Sequence, residues 1–244
     1  MNKKTSFIIS LLLTLSVYFS SSYFDNSTDR ETILVSRVID GDTIKSQDGR
    51  SLRLLNINSP EKNTPGSEKS TKFLKLLENQ TIEIEVLGID KYQRELVKIY
   101  TPEYLNLKIV ELGFASKYLV QESELTNFAK AEESAIQNSQ GIWIKSPFFD
   151  CITSEINEKE EFVQLHNSCE GINFKDWFLK DESRKVYKFK NTWNKEVIIY
   201  SIKGEDAEKE IYWNSETNIW NNDRDTLYLF DNEGKIVHYH IYGY

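Results

Sequence analysis

The apolar pattern changes character once along this chain, and that change limits the fold more than any other feature. From residue 161 onward, apolar and polar residues alternate in short runs, FVQLH, WFLKD, VYKFK, EVIIYSI, TLYLFD and KIVHYHIY, with turn formers between them. A period of two puts successive side chains on opposite faces of a strand, and no stretch here repeats at the helical period. Residues 160–242 therefore read as an antiparallel β-sandwich. Residues 32–145 mix both periods. ILVSRVI (33–39), 43–46, 51–57, TIEIEVL (81–87) and ELVKIY (95–100) read as strands, and 67–79, 102–112 and 122–139 as helices. Five short strands with three helices suit a small closed or partly closed barrel. Between the two patterns, residues 146–159 carry Pro147 and an acidic run and read as a linker.

The chain begins with Lys3 and Lys4 and then an apolar run from Phe7 to Phe19. This matches a secretory signal. It is short for a membrane-spanning helix, which needs roughly 20 apolar residues. The small residues Ser20 to Ser22 make a weak cleavage site, so residues 1–24 are either a signal peptide or an uncleaved membrane anchor. Both readings place the remainder outside the cytoplasm, secreted or held at a membrane. In that setting Cys151 and Cys169 are expected to form a disulfide, worth on the order of 3 kcal/mol in the chain-entropy model. Two cysteines and three scattered histidines do not make zinc-ligand spacing. His238 and His240 fall on one strand face and read as surface residues.

Charge narrows the function. The net charge is −8, with −2 over residues 31–145 and −7 over 146–244. A general nucleic-acid binder is basic. If this chain handles phosphates, it does so with a few placed cations or a metal ion.

One segment, VIDGDTIKSQDGRSLRLLNINSPE (38–61), gathers such groups. If its strands pair as a hairpin, Asp42 meets Asn58 and Ser59, and these offer the oxygens a hard cation needs. Arg53 interrupts a leucine-rich strand and requires an anionic partner, for which a phosphate suits the guanidinium fork. Glu61 is left over, placed to act as a base on water. Arg94, after the polar turn GIDKYQR, supplies a second fork. Taken singly, each has an ordinary alternative. Asp-Gly is a common turn, Arg53 can pair with Glu83 or Glu85, Glu61 can cap a helix, and Arg94 can be solvated.

Taken together, VIDGDTI, LRLLNINSPE and DKYQREL, in this order and spacing, resemble the staphylococcal nuclease (thermonuclease) family over roughly residues 32–145. The resemblance implies an OB-fold-type barrel with three helices and Ca²⁺-dependent hydrolysis of DNA and/or RNA. It implies Asp42, Asn58 and the Ser59 carbonyl as metal ligands, Arg53 and Arg94 as phosphate grips, and Glu61 as general base or water-positioning residue. Asp40 would support the metal site, and Tyr92 and Tyr118 are candidates for stacking on a base. Two positions depart from the family: Asn58 stands where the family has an aspartate, and Gln93 where it has glycine. LHN, DWFLKD and WNNDRDTLYLFDNEG resemble the lamin tail domain, an immunoglobulin-like sandwich, with Trp177 and Trp220 as core anchors. Arg224 sits where that family often has glycine. The whole is expected to be a monomer whose C-terminal domain has a partner the sequence does not identify. The rival readings are a non-catalytic nucleic-acid-binding barrel, motivated by Asn58 and Gln93, and an envelope interaction protein.

Overall fold

The computed structural model describes residues 30–244; the signal or anchor expected at 1–24 lies outside them. Five strands close a barrel in the order β1 (Arg30–Val38), β2 (Thr43–Ser46), β3 (Ser51–Leu54), β6 (Glu95–Tyr100) and β5 (Thr81–Ile89). All neighbours are antiparallel except β3 and β6. A bulge between Val35 and Arg37 shifts the phase of β1, so Ile33, Val35 and Val38 all point inward. The stretch 51–57, expected as one strand, breaks after Leu54. Ile57–Asn58 forms a separate short strand, β4, paired with β7 (Ser116–Lys117).

The helices are α1 (Ser67–Leu74, continued by a 3₁₀ turn at Lys75–Leu77), α2 (Leu105–Glu111) and α3 (Leu125–Gln137). Buried Asn106 on α2 accepts from the Ile99 N–H and donates to the carbonyls of Leu55 and Val97. It thereby locks the chain leaving β3 against the barrel.

The second half is two four-stranded sheets, β11-β10-β14-β15 and β13-β12-β9-β8. Their strands are β8 (Ile152–Asn157), β9 (Phe162–Asn167), β10 (Phe178–Lys180), β11 (Val186–Lys188), β12 (Glu196–Tyr200), β13 (Glu210–Tyr212), β14 (Asp225–Phe230) and β15 (Ile236–Tyr242). Trp177 and Trp220 are buried between the sheets. Cys151 and Cys169 are joined, with their Cα atoms 5.4 Å apart. His238 and His240, expected at the surface, are half-buried and share the Ser154 hydroxyl at 2.9 and 2.8 Å. Strand β8 packs beside β15 and covers them.

Residues 146–159, expected as a linker, are structured. They contain β8, and the Ser146 N–H donates to the Ile236 carbonyl at 2.8 Å. The two halves consequently share a core in which Ala135, Ile136 and Trp143 pack on Tyr228, Phe230 and Ile236. Trp143 stacks on Tyr228 with centroids 5.3 Å apart. Beside this core lies a buried ionic group. Lys117 bonds Glu132 and, across the interface, Glu182, each at 2.7 Å. Burial disfavours the Lys117 ammonium, but the two carboxylates outweigh that and raise its pKa. Tyr244, the last residue, donates to Glu182. Arg224, the departure from glycine, reaches across to Glu122 at 3.0 Å and to the Val120 carbonyl.

Candidate active site

The turn between β1 and β2 builds the centre of the site. Asp40 Oδ1 accepts from the Asp42 N–H, and the Ile39 N–H donates to the Thr43 carbonyl. Asp42 is 1% exposed. Its Oδ2 accepts from the Ser59 N–H at 2.9 Å and from the Ser59 hydroxyl at 3.0 Å. Its Oδ1 accepts from the Thr43 hydroxyl and meets Arg53 Nε at 3.2 Å. Burial, and then the neighbouring Asp42 charge, push the Asp40 carboxyl up. Gly41 is needed for close approach: a Cβ there would fall 2.6 Å from Ser70 Cβ and 2.7 Å from Ser59 Cβ.

Arg53 points away from the barrel core, because its neighbours Leu52 and Leu54 point in. It is nonetheless 6% exposed. Its partner is Asp42, not Glu83 or Glu85, and its guanidinium also donates to the carbonyls of Leu54 and Ile57. Burial lowers its pKa against the pull of Asp42, with Arg184 and Arg94 adding repulsion. Arg94 is pinned by Asp90 at 2.7 Å and reaches Thr43 Oγ1 at 3.3 Å. Gln93 adopts the left-handed backbone, φ 62°, that a glycine would take, so the turn survives the replacement. Tyr92 is 65% exposed beside Arg94. Tyr118 lies elsewhere, half-buried in a recess shared with Asp181, Ser183 and Asn221.

The structure thus brings together Asp42, Arg53, Asn58, Ser59 and Arg94, with Glu61 at the rim. It adds groups that sequence reasoning missed. The turn between β10 and β11 stands over this end of the barrel. Asn58 Nδ2 donates to the carbonyls of Glu182 and Ser183 at 3.1 and 3.2 Å. Glu61 Oε1 meets Arg184 Nε at 2.6 Å. The only trace of this in the sequence is the charged turn DESRK (181–185), unusually rich for a hairpin.

Does the donor set fit a cation? Asn58 Oδ1 is buried and has no hydrogen-bond partner. Such an orphan costs about 1–3 kcal/mol, and a cation would satisfy it. It belongs to the residue before Ser59, whose N–H and hydroxyl Asp42 holds. One carboxylate, one amide oxygen and a carbonyl fit a hard ion such as Ca²⁺, with little negative charge to bind it tightly. Among the described residues no three His, Cys, Asp or Glu side chains cluster as a metal site.

The model of the family described as staphylococcal nuclease homologue matches residues 51–145. An Escherichia coli O157:H7 protein described as an uncharacterized endonuclease is 32% identical over 115 residues, 45% of this chain and 74% of its own. The chain belongs to the staphylococcal nuclease family. A thermonuclease of Staphylococcus intermedius is 33% identical over 135 residues, 48% of this chain and 80% of that protein. Residues 148–244 match the lamin tail domain. In this member of the staphylococcal nuclease family, the lamin tail domain is packed on the face of the barrel that carries Asn58 and Glu61.

Proposed function

We propose that the chain is an exported, metal-dependent nuclease that hydrolyses phosphodiester bonds of DNA and/or RNA. One observation carries the reading: two arginines, a buried aspartate and an orphaned amide oxygen converge at one end of the barrel, with a half-exposed glutamate at the rim. Family membership supports the phosphodiesterase class. The disulfide suits an oxidising compartment, and residues 1–24 would provide export or an anchor.

Asp42, Asn58 and the Ser59 carbonyl would hold Ca²⁺, which when bound would neutralise charge on a non-bridging phosphoryl oxygen. Arg53 and Arg94 bind the same phosphate and offset the negative charge that grows on it as water adds. Glu61 takes the proton of that water. Arg184 Nε meets Oε1, and Oε2 accepts no hydrogen bond from the described residues. Tyr92 is exposed beside Arg94, where a base can stack.

The test is a nuclease assay on the purified chain with Ca²⁺, with Mg²⁺ and with chelator, beside Arg53→Ala and Glu61→Gln. Cleavage that needs metal and disappears in both variants supports the reading; full activity in both would sink it. A second reading, a binding barrel without turnover, is favoured by the neutral Asn58 and by the Arg184 contact on Glu61. Tight oligonucleotide binding with no product under any metal would select it.

A further inference from the structure

A cavity of about 370 Å³ lies where the lamin tail domain meets the barrel. That is within the range of small-ligand sites, roughly 300–1,000 Å³. Its two sides come from different parts of the chain. Asn58, Ser59, Pro60 and Glu61 line one side, next to the site described above, and one face of the β10–β11 hairpin lines the other. Phe178 pairs across that hairpin with Lys188, and Lys180 with Val186. Side chains two apart on a strand, and those directly opposite, share a face. All four line the cavity.

The chemistry of that face is uneven. Lys188 is neutralised by Asp176 at 3.0 Å. Among the described residues, Lys180 has no ion pair or hydrogen bond, and its closest recorded partner is the Tyr228 ring at 5.7 Å. Removal from water lowers its pKa although Asp181, Glu132, Glu182 and Glu61 all favour its charge. Lys180 is part-buried and lines the cavity without a counter-ion, and an anionic ligand would supply one. Arg184 enters the same cavity while holding Glu61. Next to the two cationic groups, half-buried Phe178 stacks on buried Phe230 at 4.9 Å, giving an aromatic wall whose open ring is Phe178.

We propose that this interdomain cavity is a nucleotide subsite supplied by the lamin tail domain. The base of a nucleotide next to the scissile bond lies against the aromatic wall, and a phosphate of the same strand is bound by Lys180 and Arg184. The proposal rests on the nuclease reading for the position of the scissile bond. The lamin tail domain then acts as half of the substrate site. The hairpin that carries the subsite is held rigidly to the barrel by the buried Lys117–Glu182 pair and by Asn58.

The experiment is titration calorimetry on the whole chain with thymidine 5′-monophosphate, thymidine and inorganic phosphate in turn. The variants are Lys180→Met and Val186→Glu. Val186 is 50% exposed on an edge strand, so its variant keeps the fold and sets a carboxylate opposite Lys180. We expect the monophosphate to bind best, and each variant to weaken it by about tenfold, as removal of one charge-assisted contact does. Unchanged affinity in Val186→Glu, or phosphate alone binding as well as the nucleotide, would overturn the subsite. This readout needs no turnover. Binding that depends on Lys180 in a chain without nuclease activity would sink the nuclease reading and leave the cavity a nucleotide site. Activity with no such dependence would do the reverse.

Discussion

Arg184 of the lamin tail domain and Glu61 of the barrel meet at 2.6 Å, so the residue assigned to water activation is held by a different domain. Both side chains are about half exposed, and a pair in that setting contributes roughly 0–1 kcal/mol to stability. The contact therefore matters for where Glu61 points.

Arg184→Ala is expected to leave the melting temperature within about 2 °C while kcat/KM for oligonucleotides falls about tenfold. Steady-state kinetics beside a melting curve measures both. A rise in kcat would mean that the pair acts as a latch on Glu61.

Asn58→Asp should separate stability from metal affinity. The new carboxylate would face the carbonyls of Glu182 and Ser183, which now accept from Asn58. Loss of those bonds is expected to cost about 1–3 kcal/mol. The added charge is expected to tighten Ca²⁺ binding. Urea denaturation without calcium and a calcium titration of activity should therefore move in opposite directions. Equal stability of the two proteins would show that the interface does not depend on this amide.

Gly41→Ala probes the close approach at Ser59 and Ser70. Both neighbours meet the added methyl through Cβ atoms, which cannot rotate away. Overpacking of this kind costs about 1–3 kcal/mol, and the displacement falls on the Ser59 contacts of Asp42. We expect lower stability in urea and a loss of activity larger than that stability change explains. Unchanged activity would mean that the Asp42–Ser59 geometry is not needed for turnover.

The pH dependence follows from His238. Burial, and then His240, lower its pKa to about 4, against 6.5 ordinarily. Between those values the unfolded chain binds a proton that the folded chain refuses. Stability is thus fully present above pH 6.5 and is lost as pH falls toward 4, by at most about 3 kcal/mol. His238→Asn should remove this part of the acid sensitivity. Melting temperatures of both proteins from pH 7.5 to 4 test it, and parallel curves would exclude the assignment.

Much of the barrel was legible before the structure. Strand alternation marked TIEIEVL and ELVKIY as strands, and the segment VIDGDTIKSQDGRSLRLLNINSPE marked the hairpin that carries Asp42, Arg53 and Glu61. Local patterning succeeds there because β2, β3 and β4 follow one another closely, so sequence order already brings their residues together. It failed at the bulge in β1, at the break after Leu54, and at His238 and His240, whose cover is the distant strand β8.

The sequence by itself determined the period of each segment, where the turns fall, and that a barrel with three helices would be followed along the chain by a sandwich. Only the tertiary structure decided that the sandwich lies against the hairpin that carries Glu61. Periodicity reports that a face is buried, and carries no information about what buries it. Trp143 and Lys117 carry no special signal in the sequence, and Asn58 stands out there only as a neutral residue at a candidate metal ligand. Their partners, Tyr228, Glu182 and the Ser183 carbonyl, are reached only when shape and charge bring two separately folded surfaces together.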